Sequence, residues 1–335
     1  MTEQRKRRPT LKDIAERVGV TKMTVSRYLR DPSTVAAATR EKIALAVDEM
    51  GYVPSRAPDI LSNSTSKAIG ILIPSLSNQV FAALAQGIES VTRPAGYQTL
   101  IAHYGYSPEE EEKKVASLLS YHVDGLILTE GRHSPQTLKM IKAAGIPVVE
   151  TMDIPQEPID MVVGLDHRAA ANAMVEAMLA RGKSRILYVG ARLDVRTRLR
   201  MEGYAQAMEA HGLEPRYVLT EKHSSFTQGR ELLDEALAQY PDADGLFCTN
   251  DDVAVGALLR CQQRGIAVPA QIAIAGYNAL DIGQSVSPAL ASVETPREVM
   301  GIRAAEMLLA RLGGDEDAAR FNDVGFTVLI GESIG

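Results

Sequence analysis

The 335-residue sequence predicts an α/β protein in two parts, a helix-turn-helix head at the N-terminus and a body of two lobes built on parallel sheets. Three observations carry this expectation. Residues 10 to 50 show a helical period that is repeatedly interrupted; from residue 66 onward, short apolar runs alternate with amphipathic helices; and the charge is unevenly placed. Residues 1 to 30 hold nine Lys and Arg against three Asp and Glu, or +6, so the whole-chain value of −6 leaves −12 for residues 31 to 335. A basic head on an acidic body suits contact with a polyanion at one end only, and nucleic acid is the natural candidate.

Several classes are disfavoured at once. The start, MTEQRKRRPT, has no apolar signal core, and no later run approaches the roughly 20 apolar residues that span a bilayer, so a soluble, cytoplasmic protein with no membrane contact is expected. Cys248 and Cys261 fall in no C-x-x-C or Cys/His array; free thiols are expected, with neither metal nor cofactor. The sequence lacks G-x-G-x-x-G, G-x-x-x-x-G-K-[ST], G-x-S-x-G and H-E-x-x-H, which argues against an enzyme. His103, His122 and His223 are expected on the surface or in satisfied hydrogen bonds. Asn250-Asp251-Asp252 opens a helix, where three adjacent side chains cannot all face one ion, so capping and ligand hydrogen bonding are expected instead of metal binding.

In the head, Leu11, Ile14, Ala15 and Val18 fall at i, i+3, i+4 and i+7, and Gly19 breaks the pattern. Thr10 with Asp13 three residues on predicts a capped first helix, and Thr21 caps a second. A third follows, with Ile43, Val47 and Met50 on one face. Ala15, Gly19 and Val25 have the spacing of a helix-turn-helix, in which the second helix is presented to a DNA major groove. With Val25 and Leu29 turned inward, Lys22, Met23, Arg27 and Arg30 face outward, where Lys and Arg can reach guanine or phosphate. The RKRR run at residues 5 to 8 is either a phosphate-contacting arm or a solubilising tail.

The segments TLKDIAERVGVTKMTVSRYLR, TREKI and GYVPSRAPDILS resemble the DNA-binding head of the lac repressor (LacI/GalR) family. The resemblance implies base-reading positions at Lys22, Met23 and Arg27. It implies phosphate contacts from Thr10, Thr21 and Thr24, and backbone contacts from Tyr52 and the adjoining Leu11. A hinge helix at about 57–63, preceded by Arg56, would wedge Leu61 into the minor groove. Ser55 stands where Asn is frequent, and Ala36 where a phosphate-contacting Ser is common.

In the body, the strand-like runs are AIGILIP, YQTLIAH, VDGLILT, IPVVE, MVVGL, RILYVG, DGLFCT and IAIAG. Apolar strands alternating with helices mean a parallel sheet covered on both faces. Ser107-Pro108-Glu109-Glu110 and Thr295-Pro296-Arg297-Glu298 each predict a hydroxyl cap, a first-turn proline and an early glutamate. The run from Glu109 to Lys114 is expected to complement the helix dipole. About eight strands dividing near residues 164 to 166 suggest two lobes with a ligand cleft between them, its contacts lying beyond the strand C-termini. That rule selects Ser75, Glu130, Glu150, Asp166, Asn250 and Asn278, with Phe81 on the adjoining helix. Arg192, Arg196, Arg198 and Arg200 follow one strand, and one of them aimed into the cleft would clamp a carboxylate.

The family resemblance extends from Thr10 to about Ile330. It implies a body like a pair of periplasmic-binding-protein lobes, with residues 1–65 as head and 66–335 as effector-binding and dimerisation body. The N-lobe is then about 66–164 plus 295–325, and the C-lobe about 165–294 plus 326–335. It also implies effector contacts from Arg200, in R-x-x-G, and from Asn250, with Asn278 where a sugar-binding Asp is common. NQVFAALAQGIESVT, GYQTLIAHYGY, DGLILTE, VGARLDVRTR, FCTNDDVAVGA and DIGQ are similar to the family's regulators of gluconate uptake and catabolism. This implies a homodimeric repressor of operator double-stranded DNA, released by D-gluconate or a related sugar acid. A regulator that needs its ligand as co-repressor is the alternative, and a sugar-acid enzyme a more distant one.

Overall fold

The computed structural model describes residues 7–55, 65–317 and 319–335. The predicted hinge helix, with Arg56 and Leu61, lies outside them. The chain divides into two compact units, residues 1–66 and residues 67–335.

In the first unit, α1 (Leu11–Val18) opens on a capping box: Thr10 Oγ1 accepts from the Asp13 N–H, and the Asp13 carboxylate accepts the Thr10 N–H at 2.7 Å. Gly19, at φ 76°, ends it in the left-handed conformation that glycine adopts without cost, and the N–H groups of Gly19 and Val20 both reach the Ala15 carbonyl. Next comes α2 (Lys22–Arg30), capped by Thr21. In α3 (Ala37–Glu49), which starts at Ala36, there is no side-chain cap. Ile14, Ala15, Val25, Val35, Ile43 and Ala46 form the core, and Arg17 on α1 pairs with Glu49 on α3.

The second unit holds two six-stranded sheets. The first contains β1 (Ala68–Ile73), β2 (Gln98–His103), β3 (Gly125–Leu128), β4 (Val148–Met152), β5 (Met161–Gly164) and β11 (Phe321–Asp323), in the order β11-β5-β4-β3-β1-β2 and wholly parallel. The second contains β6 (Ile186–Ala191), β7 (Arg216–Thr220), β8 (Gly245–Cys248), β9 (Ala273–Asn278), β10 (Ala291–Glu294) and β12 (Thr327–Leu329), in the order β12-β10-β9-β8-β6-β7. Only β12 runs antiparallel to its neighbour. In each sheet the order reverses beside the first strand, so the topological switch points fall between β1 and β3 and between β6 and β8.

Helices α4 (Gln79–Thr92), α5 (Pro108–Ser120), α6 (Pro135–Ala144) and α12 (Arg297–Leu312) belong with the first sheet. With the second go α7 (His167–Leu179), α8 (Val195–Ala210), α9 (Phe226–Gln239), α10 (Asp251–Arg264) and the short α11 (Asp281–Ser285). α4 and α12 cross at paired glycines. A Cβ on Gly87 would lie 2.2 Å from the Glu298 carbonyl oxygen, and one on Gly301 2.2 Å from that of Leu84. Only glycine allows this approach.

The structure departs from expectation in three places. Twelve strands are described where about eight are legible in the sequence, because β7, β10, β11 and β12 are short or carry polar residues. β2 is not covered on both faces, since it is an edge strand and half of its positions meet solvent. Thr295 does not cap α12: the N-cap is Pro296, and the Thr295 hydroxyl accepts instead from Arg297 at 3.0 Å.

Candidate DNA-reading face and effector cleft

On α2, Val25 is fully buried and Leu29 packs against the core, so the turn of the helix leaves Lys22, Met23, Arg27 and Arg30 exposed on the other side. Met23 is 72% exposed, so its apolar side chain is free to be covered by a partner. Thr21 is bound to Thr24 twice, accepting its N–H at 3.2 Å and sharing a hydroxyl contact at 2.9 Å. Thr10, Leu11, Lys22 and Tyr52 line one broad groove, together with Arg7, Arg8, Lys12 and Ser55. Leu11 and Tyr52 also pack against the head core, so their burial serves the fold first. Burial raises the Tyr52 pKa.

In the body, a cavity of about 510 Å³ opens at the strand ends, lined by Ser75, Ser77, Asn78, Tyr106, Arg192, Ser224 and Asp252 among others. Ser75 follows β1 and accepts the Asn78 N–H at 3.2 Å; Asn78 in turn caps α4. His103 and His223 are exposed at the same cavity.

Of the four arginines after β6, Arg198 is exposed, Arg192 is partly buried, and Arg196 and Arg200 are 4% and 6% exposed. They differ in what compensates their charge. Arg192 pairs with Asp194 at 2.8 Å and lies 4.2 Å from the Tyr106 ring centroid. Arg196, in the first turn of α8, reaches across to the first sheet: it donates to the Thr129 carbonyl and to Glu130 at 2.8 Å each, and to Asp153 at 3.5 Å. Phe81 lies under the same guanidinium at 6.0 Å. Arg200 has no carboxylate partner among the described residues. It donates to the Thr249 carbonyl at 2.6 Å, stacks 3.8 Å from the Tyr277 ring, and leaves its Nε buried without a hydrogen-bond partner.

Tyr277 and Asp153 are joined through His167. The Tyr277 hydroxyl and His167 Nδ1 are 2.8 Å apart, and His167 Nε2 lies 3.1 Å from the Met152 carbonyl and 3.3 Å from Asp153. A carbonyl only accepts, so Nε2 carries the hydrogen and Nδ1 accepts from Tyr277. Burial lowers the His167 pKa and keeps the ring neutral. A continuous chain therefore runs from Arg200 through Tyr277, His167 and Asp153 to Arg196 and Glu130, crossing between the two sheets. Along it, burial pushes Glu130 up to about 7 against the pull of Arg196. For Asp153 burial also works upward, but Arg196 and His167 outweigh it and hold the carboxyl below its ordinary value. Asp194, partly buried, is held at about 2 by Arg192 and Arg196, with Arg200 adding to them.

Two selected residues lie elsewhere. Glu150 turns to the opposite face of the first sheet, where it accepts the Ile159 N–H at 2.6 Å and lies 3.5 Å from His133. The strand rule locates a residue along the strand, but alternation decides its face, and Glu150 shares the face of Val148. Glu111 joins it there, bound to His133 at 2.8 Å, so part of the Glu109–Lys114 run is buried structure and not dipole complement. Burial opposes the charge on His133, but hydrogen bonds to Glu111 and Glu150 push it up to about 9. Asp166 is exposed, and its Oδ1 accepts the N–H groups of Arg168 and Ala169 at 2.9 and 3.0 Å as the cap of α7.

The Asn250-Asp251-Asp252 run points three ways. Asn250 caps α10 by accepting the Val253 N–H at 3.1 Å; Asp251, wholly buried, accepts from Ser292 at 2.7 Å and the Leu280 N–H at 2.5 Å; Asp252 faces the cavity. Burial pushes Asp251 up to about 7. Asn278 is buried at φ 104°, and its carbonyl accepts from Arg297 of α12. Among the described residues no group of three or more His, Cys, Asp or Glu is placed to hold a metal ion, and no helix is long and apolar enough to cross a membrane.

Asp153, Asp194, His167 and Tyr277 escape sequence reasoning. Asp153 lies three residues after Glu150 and His167 directly follows Asp166, both near strand ends, but their partners lie 14 to 110 residues away, and no local signal marks such pairs.

Comparison with known proteins places both parts. Residues 10–55 match the family described as bacterial regulatory proteins, lacI family, and residues 66–329 match periplasmic binding proteins and the sugar binding domain of the LacI family. The chain is 56% identical over 330 residues to the HTH-type transcriptional regulator GntR of Escherichia coli K12, covering 98% of this chain and 100% of that one. It is 48% identical over 331 residues to the regulator IdnR of the same organism, with 98% and 100% covered. A LacI-family transcriptional regulator from Silicibacter pomeroyi superimposes with a TM-score of 0.91 at 35% identity, covering 97% of this chain and 99% of that one. These are regulators and not enzymes, and the chain belongs to the LacI family of DNA-binding transcriptional repressors.

Proposed function

We propose that this repressor controls genes of gluconate uptake and catabolism, binds a pseudo-palindromic operator as a homodimer, and is released by D-gluconate or a related sugar acid. Lys22, Met23, Arg27 and Arg30 read or approach the major groove, with Thr10, Thr21, Thr24 and Tyr52 on the backbone and Leu11 supporting them. Arg56 and Leu61 act at the hinge. The effector enters between the lobes near Ser75, Phe81, Glu130, Arg196, Arg200, Asn250 and Asn278.

One observation carries the acid part of this reading. Arg200 is a buried cation with no carboxylate partner among the described residues, whereas Arg192 and Arg196 are both compensated. A buried guanidinium without a direct ion-pair partner is costly unless an anion completes it, and a carboxylate suits the fork of a guanidinium. The serines, Asn78 and Asp252 around the cavity suit a hydroxylated tail. The names of the relatives support gluconate among sugar acids.

Thermal unfolding of the DNA-free protein, titrated with D-gluconate beside glucose and 2-ketogluconate, tests this directly. A ligand that binds only the folded state raises its stability with concentration. A saturable rise selective for gluconate, with release of operator DNA at the same concentrations, is the expected result. A rise with 2-ketogluconate alone replaces the effector, and tighter operator binding with gluconate reverses the sign of regulation.

A further inference from the structure

We propose that Asp252 sets the charge specificity of the effector site, admitting sugar acids that carry one negative charge and rejecting those with a second anionic group. This rests on the sugar-acid reading above and adds to it a rule about the ligand.

Arg200 is fixed by the Thr249 carbonyl and the Tyr277 ring and has no ion-pair partner among the described residues, Asp194 acting on it only at longer range. Asp252 lines the cavity itself, only a short step along the chain from Thr249. The other fixed cation in the lining, Arg192, is already neutralised by Asp194 at 2.8 Å. Burial raises the Asp252 pKa, with Arg192 pulling weakly the other way.

Asp252 sits in the first turn of α10, where a carboxylate suits the helix dipole, but the cap bond is not its own. Asn250 already supplies the side-chain cap of α10, and the buried Asp251 is committed to Ser292 and Leu280. Asp252 shares the cavity instead with Ser75, Ser77, Asn78, Ser224 and Ser225. A carboxylate among hydroxyls and an amide is an acceptor for sugar hydroxyls and a repulsive neighbour for phosphate. A second anionic group carried by a ligand in this cavity would meet the Asp252 carboxylate in a partly desolvated site.

The test is calorimetric titration of the full-length protein at pH 7.5 with D-gluconate and with 6-phosphogluconate, on the wild type and on Asp252→Asn and Asp252→Ser. The wild type should bind gluconate at least about tenfold more tightly, and both variants should narrow that ratio about tenfold or more, chiefly by gaining 6-phosphogluconate. Unfolding temperatures without ligand confirm that each variant folds, and Ser keeps a small polar group where Asn fails to pack. Equal binding of the two acids by the wild type, or an unchanged ratio in the folded variants, overturns the role of Asp252 while leaving the gluconate reading intact. If neither acid binds wild type or variants, the sugar-acid reading falls and this proposal with it.

Discussion

The head and the body handle positive charge in opposite ways. In the head, Lys22, Arg27 and Arg30 stand in water on a helix whose core face needs little more than Val25 and Leu29. In the body, Arg196 and Arg200 are almost wholly enclosed and fixed by carbonyls, carboxylates and an aromatic ring. An exposed cation waiting for phosphate costs the free protein little, because water solvates it until DNA arrives. A buried cation must be built into the structure. Charge and stability are therefore separable in the head and fused in the body.

Removing Arg196 should break that contrast most visibly. Arg196→Ala leaves Glu130 and Asp153 buried without their shared cation, an expected loss of about 3–5 kcal/mol of body stability, read as a lowered unfolding temperature by calorimetry. Equal stability of variant and wild type would mean that the pair is solvated in solution. The head equivalent is smaller and acts through packing: Val25→Ala, at a fully buried position, should cost about 2 kcal/mol of head stability and weaken operator binding, while effector binding by the body stays unchanged. A parallel loss of effector affinity would show that the two units do not fold independently. Smallest is Arg27→Ala, which should lower operator affinity roughly tenfold, or about 1.4 kcal/mol, reduce its salt dependence, and leave the unfolding temperature where it was.

The same contrast explains what was legible in the sequence. The head could be read because its determinants are local: Thr10 with Asp13, the turn at Gly19, Thr21 before α2. Strands β1, β3 to β6, β8 and β9 are legible as apolar runs because both of their faces are covered. β7, at an edge, and β11 and β12, three residues each, lack that signature. In the cleft, the arginine-rich segment marks the wall, but nothing in VRTRLR tells which guanidinium is neutralised by a distant carboxylate. Glu150 and Asp166 show the limit of reading strand ends, since one turned to the other face and the other was taken up as a helix cap.

The crossing of α4 and α12 at Gly87 and Gly301 has a mechanical consequence. With backbone against backbone, no flexible side chain lies between the two helices to absorb displacement. α4 begins at Asn78 beside the cavity, and α12 begins at Arg297, which grips the Asn278 carbonyl at the end of β9. The pair is therefore a stiff crossing with one end at the cavity and the other bonded to the end of β9 in the second sheet, which leaves little slack between the two.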